Sequence, residues 1–167
     1  DEPMHERYLL WLSDAVRGDL GRSAIQGQPV SGVIANAAPV SLQLMLYAQV
    51  LALSVAVPAG VYAAYKANRR GDRVTSTMAL AALSIPNFVL AVVLILFFAL
   101  GGIRMGDTSL GSEWLPAARY VPFGQDPVEH FRHMVLPAIA LALGQAAGYM
   151  RILRSDMIGT LQENFIT

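Results

Sequence analysis

The chain has 167 residues, 54% of them hydrophobic and only 14% charged, against roughly a quarter charged in ordinary soluble domains. Its formal net charge of zero says nothing about partners, none of them expected to be a nucleic acid, and the lack of cysteine excludes disulfides, thiolate catalysis and Cys-based metal sites. The apolar excess sits in three blocks, Val40–Tyr65, Val74–Ile103 and Met134–Met150, which specifies an all-α membrane protein rather than a soluble domain with a generous core.

Residues 1–39 are of mixed polarity. Tyr8, Leu9, Leu10, Trp11, Leu12, Ala15 and Val16 outline a short amphipathic helix that Gly18 and Gly21 end. Gln26-Gly27-Gln28-Pro29 reads as a turn, and a second short helix is expected from Pro29 to Ala38, stopping before Pro39. The acidic opening and the lack of a long apolar core do not fit a signal peptide, so a preceding segment is expected.

The first span is read at 40–65. Ala48, Ala52, Ala56, Gly60 and Ala64 recur at every fourth position on one helical stripe. In lipid, where hydrophobicity does not itself drive helices together, such a stripe serves close packing on another helix. Pro58 predicts a kink, and Gln43 and Gln49 should face other helices or water.

Residues 66–73, KANRRGDR, form a short basic connector. The second span, 74–103, holds no charged residue or histidine. Its hydrocarbon-crossing part is expected at Met78–Leu100, with Ser84-Ile85-Pro86-Asn87 as an interruption that frees a carbonyl and places an amide at membrane depth. A kink satisfied by a neighbouring helix is the plainer expectation, and a pathway-lining role the bolder one.

Residues 104–133 carry three prolines and three glycines and read as a loop. His130 and His133 stand three apart, but without a clear third ligand a solvated interfacial pair is expected rather than a metal site. The third span is read at 134–154, with Pro137 in its first turn, a Gly144/Gly148 pair and small residues Ala138, Ala142 and Ala146 on a second face. The helical pattern continues through Met157, Ile158 and Leu161 into 155–167.

Three spans put the ends of the chain on opposite sides. Lys66, Arg69, Arg70, Arg73, Arg151 and Arg154 cluster on one side, which the positive-inside rule makes cytoplasmic. Residues 1–39 and 104–133 are then external.

Five segments, in order, resemble the permease subunit of bacterial dipeptide/oligopeptide (and nickel) ABC importers: Gly18-Asp19-Leu20-Gly21-Arg22-Ser23, Gly27-Gln28-Pro29-Val30, Pro39-Val40-Ser41-Leu42-Gln43-Leu44, Leu83-Ser84-Ile85-Pro86-Asn87-Phe88 and Leu136-Pro137-Ala138-Ile139-Ala140-Leu141. The resemblance covers nearly the whole chain. It implies a type I ABC importer transmembrane domain in a multi-pass protein of the bacterial inner membrane, with further spans before Asp1 and after Thr167. It also implies a homologous second permease subunit, two cytoplasmic ATPase subunits that hold the ATP and Mg, an extracytoplasmic binding protein and a peptide substrate. No cofactor is expected in this chain, and no catalysis. Family members carry a coupling loop that docks on the ATPase; Glu163, Asn164 and Phe165 would approach it, and Asn-Phe stands where the family usually has Asp-Tyr.

The residues agree with this assignment. No glycine-rich phosphate loop ending in Gly-Lys-Ser/Thr occurs, so ATP chemistry would belong to partners. A pore for varied peptides should hold few fixed charges, and Ser84, Asn87, Gln145 and Tyr149 are candidates for lining it. The alternatives are a secondary transporter or channel subunit, which would ordinarily place an ionisable group inside a span, an intramembrane enzyme, a structural membrane subunit, and an ABC permease for nickel or another small solute.

Overall fold

The computed structural model describes residues 3–25, 27–105, 108–110 and 114–162. Five helices carry the described chain: α1 (Met4–Val16), α2 (Val30–Tyr65), α3 (Arg70–Ser84), α4 (Asn87–Phe98) and α5 (Pro127–Leu161). Between α4 and α5 a small antiparallel hairpin pairs β1 (Ile103–Met105) with β2 (Thr108–Leu110). The chain divides into two compact units, 1–43 and 44–167, with α2 running through the division.

In the first unit, α1 ends where Gly18 takes φ +93, a left-handed conformation that glycine adopts without steric penalty. Gly21 and Gly27 are also left-handed, and the chain folds back so that Arg22 bridges Pro29 and the Val30 amide donates to the Gly21 carbonyl at 2.9 Å. The expected helix break before Pro39 is absent: α2 is continuous from Val30 to Tyr65 through both Pro39 and Pro58. Proline removes a single helical hydrogen bond, and a long apolar helix tolerates that loss where neighbouring turns hold the backbone.

In the second unit the small stripe of α2 is buried: Ala48, Ala52, Ala56, Gly60 and Ala64 lie on the face that packs, together with Ala63, against Ala79 of α3 and Ala142, Ala146, Ala147 and Met150 of α5. The core is thus made of alanines, and interhelical distance, not side-chain bulk, sets its cohesion. Gly60 marks a close approach of α2 to α5. A Cβ there would lie 3.0 Å from Leu153 Cδ2 and 3.1 Å from the Met150 carbonyl oxygen. Gly60→Val should therefore push α2 from α5 and destabilise the unit by about 1–3 kcal/mol, the usual range for overpacking, read as a lowered thermal midpoint in detergent.

The second apolar block does not form one kinked helix. α3 and α4 meet at 95° across Ile85 and Pro86. The cause is local: Ile85 precedes proline and is extended at φ −91, ψ 118, and Pro86 itself sits at ψ 136, since the proline ring disfavours the helical region for its predecessor. The Ser84 hydroxyl donates to the Leu80 carbonyl at 2.9 Å, satisfying one acceptor at the end of α3. At about 1.5 Å per residue neither α3 nor α4 alone reaches the roughly 30 Å hydrocarbon thickness. Two helices, α2 and α5, are long and apolar enough to cross a membrane, and the bent α3–α4 pair is a third, broken candidate.

α5 begins at Pro127, inside the segment expected to be loop, and runs for 35 residues. Asp126 caps it, accepting from the Val128 and Glu129 amides at 3.0 and 3.1 Å, with Pro127 in the first turn. Pro137 accordingly lies in the helix interior, not in its first turn.

Candidate functional site

The contacts of the second unit run from one end of α5 to the other. At the end where α3 begins, Asn68 turns the chain with φ 62, a conformation that asparagine tolerates better than most residues. Its amide donates to Asp72 Oδ2 at 2.9 Å. Asp72, 3% exposed, also accepts from the Ser76 hydroxyl at 3.2 Å and from Arg154 of α5 in a two-pronged pair, Nε to Oδ1 at 2.5 Å and an Nη to Oδ2 at 2.7 Å. The planar guanidinium matches both carboxylate oxygens. The hydrogen bonds from Arg154 first, then those from Asn68 and Ser76, hold the Asp72 carboxyl down at about 2 against the opposing effect of burial. This clasp joins the first turn of α3 to the last turns of α5.

About three turns back along α5 from Arg154, Gly144 faces Asn87. A Cβ at Gly144 would lie 3.2 Å from Asn87 Oδ1, so the missing side chain makes room for the amide at the α3–α4 break. Gln145 is exposed beside it, and Ser84 is exposed at the end of α3. Tyr149 donates its hydroxyl proton to Gln49 Oε1 of α2 at 3.2 Å. Of the four residues singled out as lining candidates, Ser84 and Asn87 thus flank the break, Asn87 meets the glycine next to Gln145, and Tyr149 is tied to α2. Gly148, expected in a packing face, has open space where a Cβ would stand. Glu163, Asn164 and Phe165 lie outside the described residues.

The other end of α5 holds a knot the sequence reading assigned to solvent. His130 is fully buried, at 0% exposure. Its Nδ1 donates to the Val121 carbonyl at 2.7 Å, which in the neutral imidazole leaves Nε2 to accept from the Tyr47 hydroxyl at 3.1 Å. Tyr47, Tyr120 and Phe123 present rings edge-on around it at centroid distances of 5.6–5.8 Å. His133 instead donates to the Glu129 carbonyl at 2.7 Å along its own helix. The two imidazoles are therefore not a solvated pair: α5 starts early, and the loop at 120–123 folds over its first turn. Among the described residues no group of three His, Asp or Glu side chains could hold a metal ion.

Asp72 is a structural anchor that the sequence alone did not single out, and His130 is one that the sequence placed in solvent. Asp72 is the only acid in the connector KANRRGDR, and a lone carboxylate among cations close to an arginine-bearing helix end is the signal that marks it.

An alanine-cored set of long apolar helices, clasped at one end by an ion pair and interrupted by a proline break against a glycine face, defines a helical membrane protein. The chain belongs to the family of binding-protein-dependent transport system inner membrane components, which matches residues 56–167. It is 35% identical over 166 residues to a Brucella abortus protein described as a peptide transport system permease, covering 99% of this chain and 50% of that protein. It is also 35% identical over 178 residues to the oligopeptide transport system permease protein OppB of Mycobacterium tuberculosis, covering 99% and 51% respectively. The chain spans about half the length of the curated relatives it matches.

Proposed function

We propose that this chain supplies part of the translocation pathway of an ATP-driven importer of di- or oligopeptides in the bacterial inner membrane. The observation that carries the reading is the family match over 56–167 together with the peptide permeases among its relatives. In this reading it works beside a second, homologous permease subunit, two cytoplasmic ATPase subunits carry the ATP and Mg, and a binding protein delivers peptide at the outer face. The Asp72–Arg154 end is cytoplasmic, in keeping with the four cations of 66–73.

Alternating access requires helices that are tightly packed yet able to move against each other as rigid pieces. The alanine faces of α2, α3 and α5 and the 95° break between α3 and α4 suit such movement. Ser84, Asn87, Gln145 and Tyr149 supply neutral hydrogen-bonding groups to a peptide backbone without selecting for side-chain charge.

The test is uptake. The full-length permease, assembled with the subunits that co-purify with it from its native membrane, should take up labelled peptide into proteoliposomes in an ATP-dependent manner. Recovery without any ATPase subunit, or uptake driven by an ion gradient alone, would overturn the assignment.

A further inference from the structure

We propose that the open cleft between α3 and α5, beside the Asp72–Arg154 clasp, binds the headgroup of an anionic phospholipid, with Arg151 as the cation that contacts its phosphate. The cleft measures about 720 Å³ and is lined by Ser76 and Leu80 of α3 and by Gly148, Arg151, Ile152, Arg154 and Ser155 of α5.

Three features point to this ligand. The first is charge. Arg154 is already neutralised by Asp72, whereas Arg151 is exposed and makes no ion pair among the described residues. A guanidinium without a carboxylate, where the apolar run of α5 gives way to polar residues, is complementary to a phosphodiester. Lys66, Arg69, Arg70 and Arg73 stand in and beside the first turn of α3 at this same end and add attraction for an anionic leaflet.

The second feature is the amphipathic lining. Leu80 and Ile152 are apolar and exposed, at 53% and 61%, next to the arginines and the Ser76 and Ser155 hydroxyls. Leu80 lies two turns into α3 from Asp72, towards the apolar body of the helix, so an acyl chain can run along it while the phosphate stays at Arg151. A free phosphate, or the carboxylate of a passing peptide, would make no use of that apolar wall.

The third feature is space. Apart from adjacent residues and the helix's own backbone, no heavy atom lies within 4 Å of the position a Cβ would occupy on Gly148, so the glycine leaves the floor of the cleft open on the same face of α5 as Arg151 and Ser155. A larger residue fits there without disturbing the packing, which makes the cleft separable from the fold.

The experiment is native mass spectrometry of the full-length permease in its complex, after exchange into micelles containing equal amounts of phosphatidylglycerol and phosphatidylcholine. The wild type should retain phosphatidylglycerol in preference. Arg151→Gln should reduce that retention about fivefold, the weight of one surface cation against an anionic lipid, and Gly148→Leu should reduce it by occupying the floor, while Arg151→Lys keeps most of it. Unchanged retention in both Arg151→Gln and Gly148→Leu would overturn the proposal. So would displacement of the lipid by millimolar inorganic phosphate, which would mean that only the anion is read. Loss of the ATPase subunits from Arg151→Gln with lipid retention intact would replace the lipid with a protein contact.

Discussion

Asp72→Ala should be the most damaging single substitution at the end of the helices where α3 begins, lowering stability in detergent by about 3 kcal/mol. The magnitude follows from what is left behind: removing one partner of a buried, hydrogen-bonded ion pair typically costs about 3–5 kcal/mol, and the partial exposure of Arg154, 27% for its side chain, lets water recover some of it. The variant would strand the Asn68 amide and Ser76 hydroxyl as well as Arg154. Arg154→Met should cost less, because Asp72 keeps those two donors. The charge-exchanged pair Asp72→Arg with Arg154→Asp should recover only part of the loss, since the new arginine cannot accept from Asn68. Thermal unfolding of the four proteins reads the comparison, and equal stability of Asp72→Ala and wild type would show that the clasp contributes nothing. The clasp also has a pH signature. Because the folded carboxyl titrates at about 2 against an ordinary 3.8, its contribution is complete from about pH 5 upward and is lost as the pH falls from there through about 2. No loss through this group is expected between pH 5 and 8.

The apolar helices α2 and α5 were legible because they depend on properties that a single sequence displays: apolar length and the spacing of small residues. Ala48, Ala52, Ala56 and Gly60 could be placed on one packing face from a period of four alone, and they are buried together. The boundaries were less legible because they turn on competition between local signals. Pro39 was a reasonable stop for a helix, but the helical turns on either side of it hold α2 continuous. Asp126-Pro127-Val128-Glu129 is a helix start by its own chemistry, with a capping carboxylate, a proline in the first turn and a glutamate three residues on. The glycines and prolines just before it drew the reading towards loop. At Ser84–Asn87 the interruption was visible, but its size was not. Two consecutive non-helical residues, Ile85 and Pro86, turn what one proline would only have kinked into a 95° break.

The two anchors whose roles the sequence did not show share a physical reason. Asp72 and His130 owe their character to partners far away in sequence, Arg154 and Tyr47, 82 and 83 residues distant. Both tie α5 to an earlier helix, one near each end. Contacts at 60 with 150 and 153, and at 47 with 130, run in the same sense along α2 and α5, while Asp72 with Arg154 and Asn87 with Gly144 run oppositely along α3–α4 and α5. The two polar anchors therefore hold an alanine-lined core that is crossed between them by the Tyr149–Gln49 hydrogen bond and otherwise packs small apolar faces able to shear.

Replacing the buried imidazole tests the other anchor. His130→Ala should destabilise the second unit by about 3–4 kcal/mol, for two separable reasons. Its removal leaves the Val121 carbonyl and the Tyr47 hydroxyl without their partner, at about 1–3 kcal/mol for unsatisfied buried polar groups. It also empties a volume enclosed by Tyr47, Tyr120 and Phe123, whose loss carries a cavity penalty of its own. Two further variants divide these contributions. His130→Phe refills the space but provides neither hydrogen bond, so it should recover only the cavity share; Tyr47→Phe keeps the imidazole and removes a single hydroxyl, for a loss of about 1 kcal/mol. If His130→Phe matched the wild type in thermal unfolding, the polar contacts would be incidental and shape alone would hold the 120–123 loop on α5. If His130→Phe and His130→Ala fell together, the hydrogen bonds would carry the whole effect. An intermediate midpoint for His130→Phe is the expected result, because the imidazole both fills the ring of aromatics and ties it, through Val121 and Tyr47, to the loop and to α2.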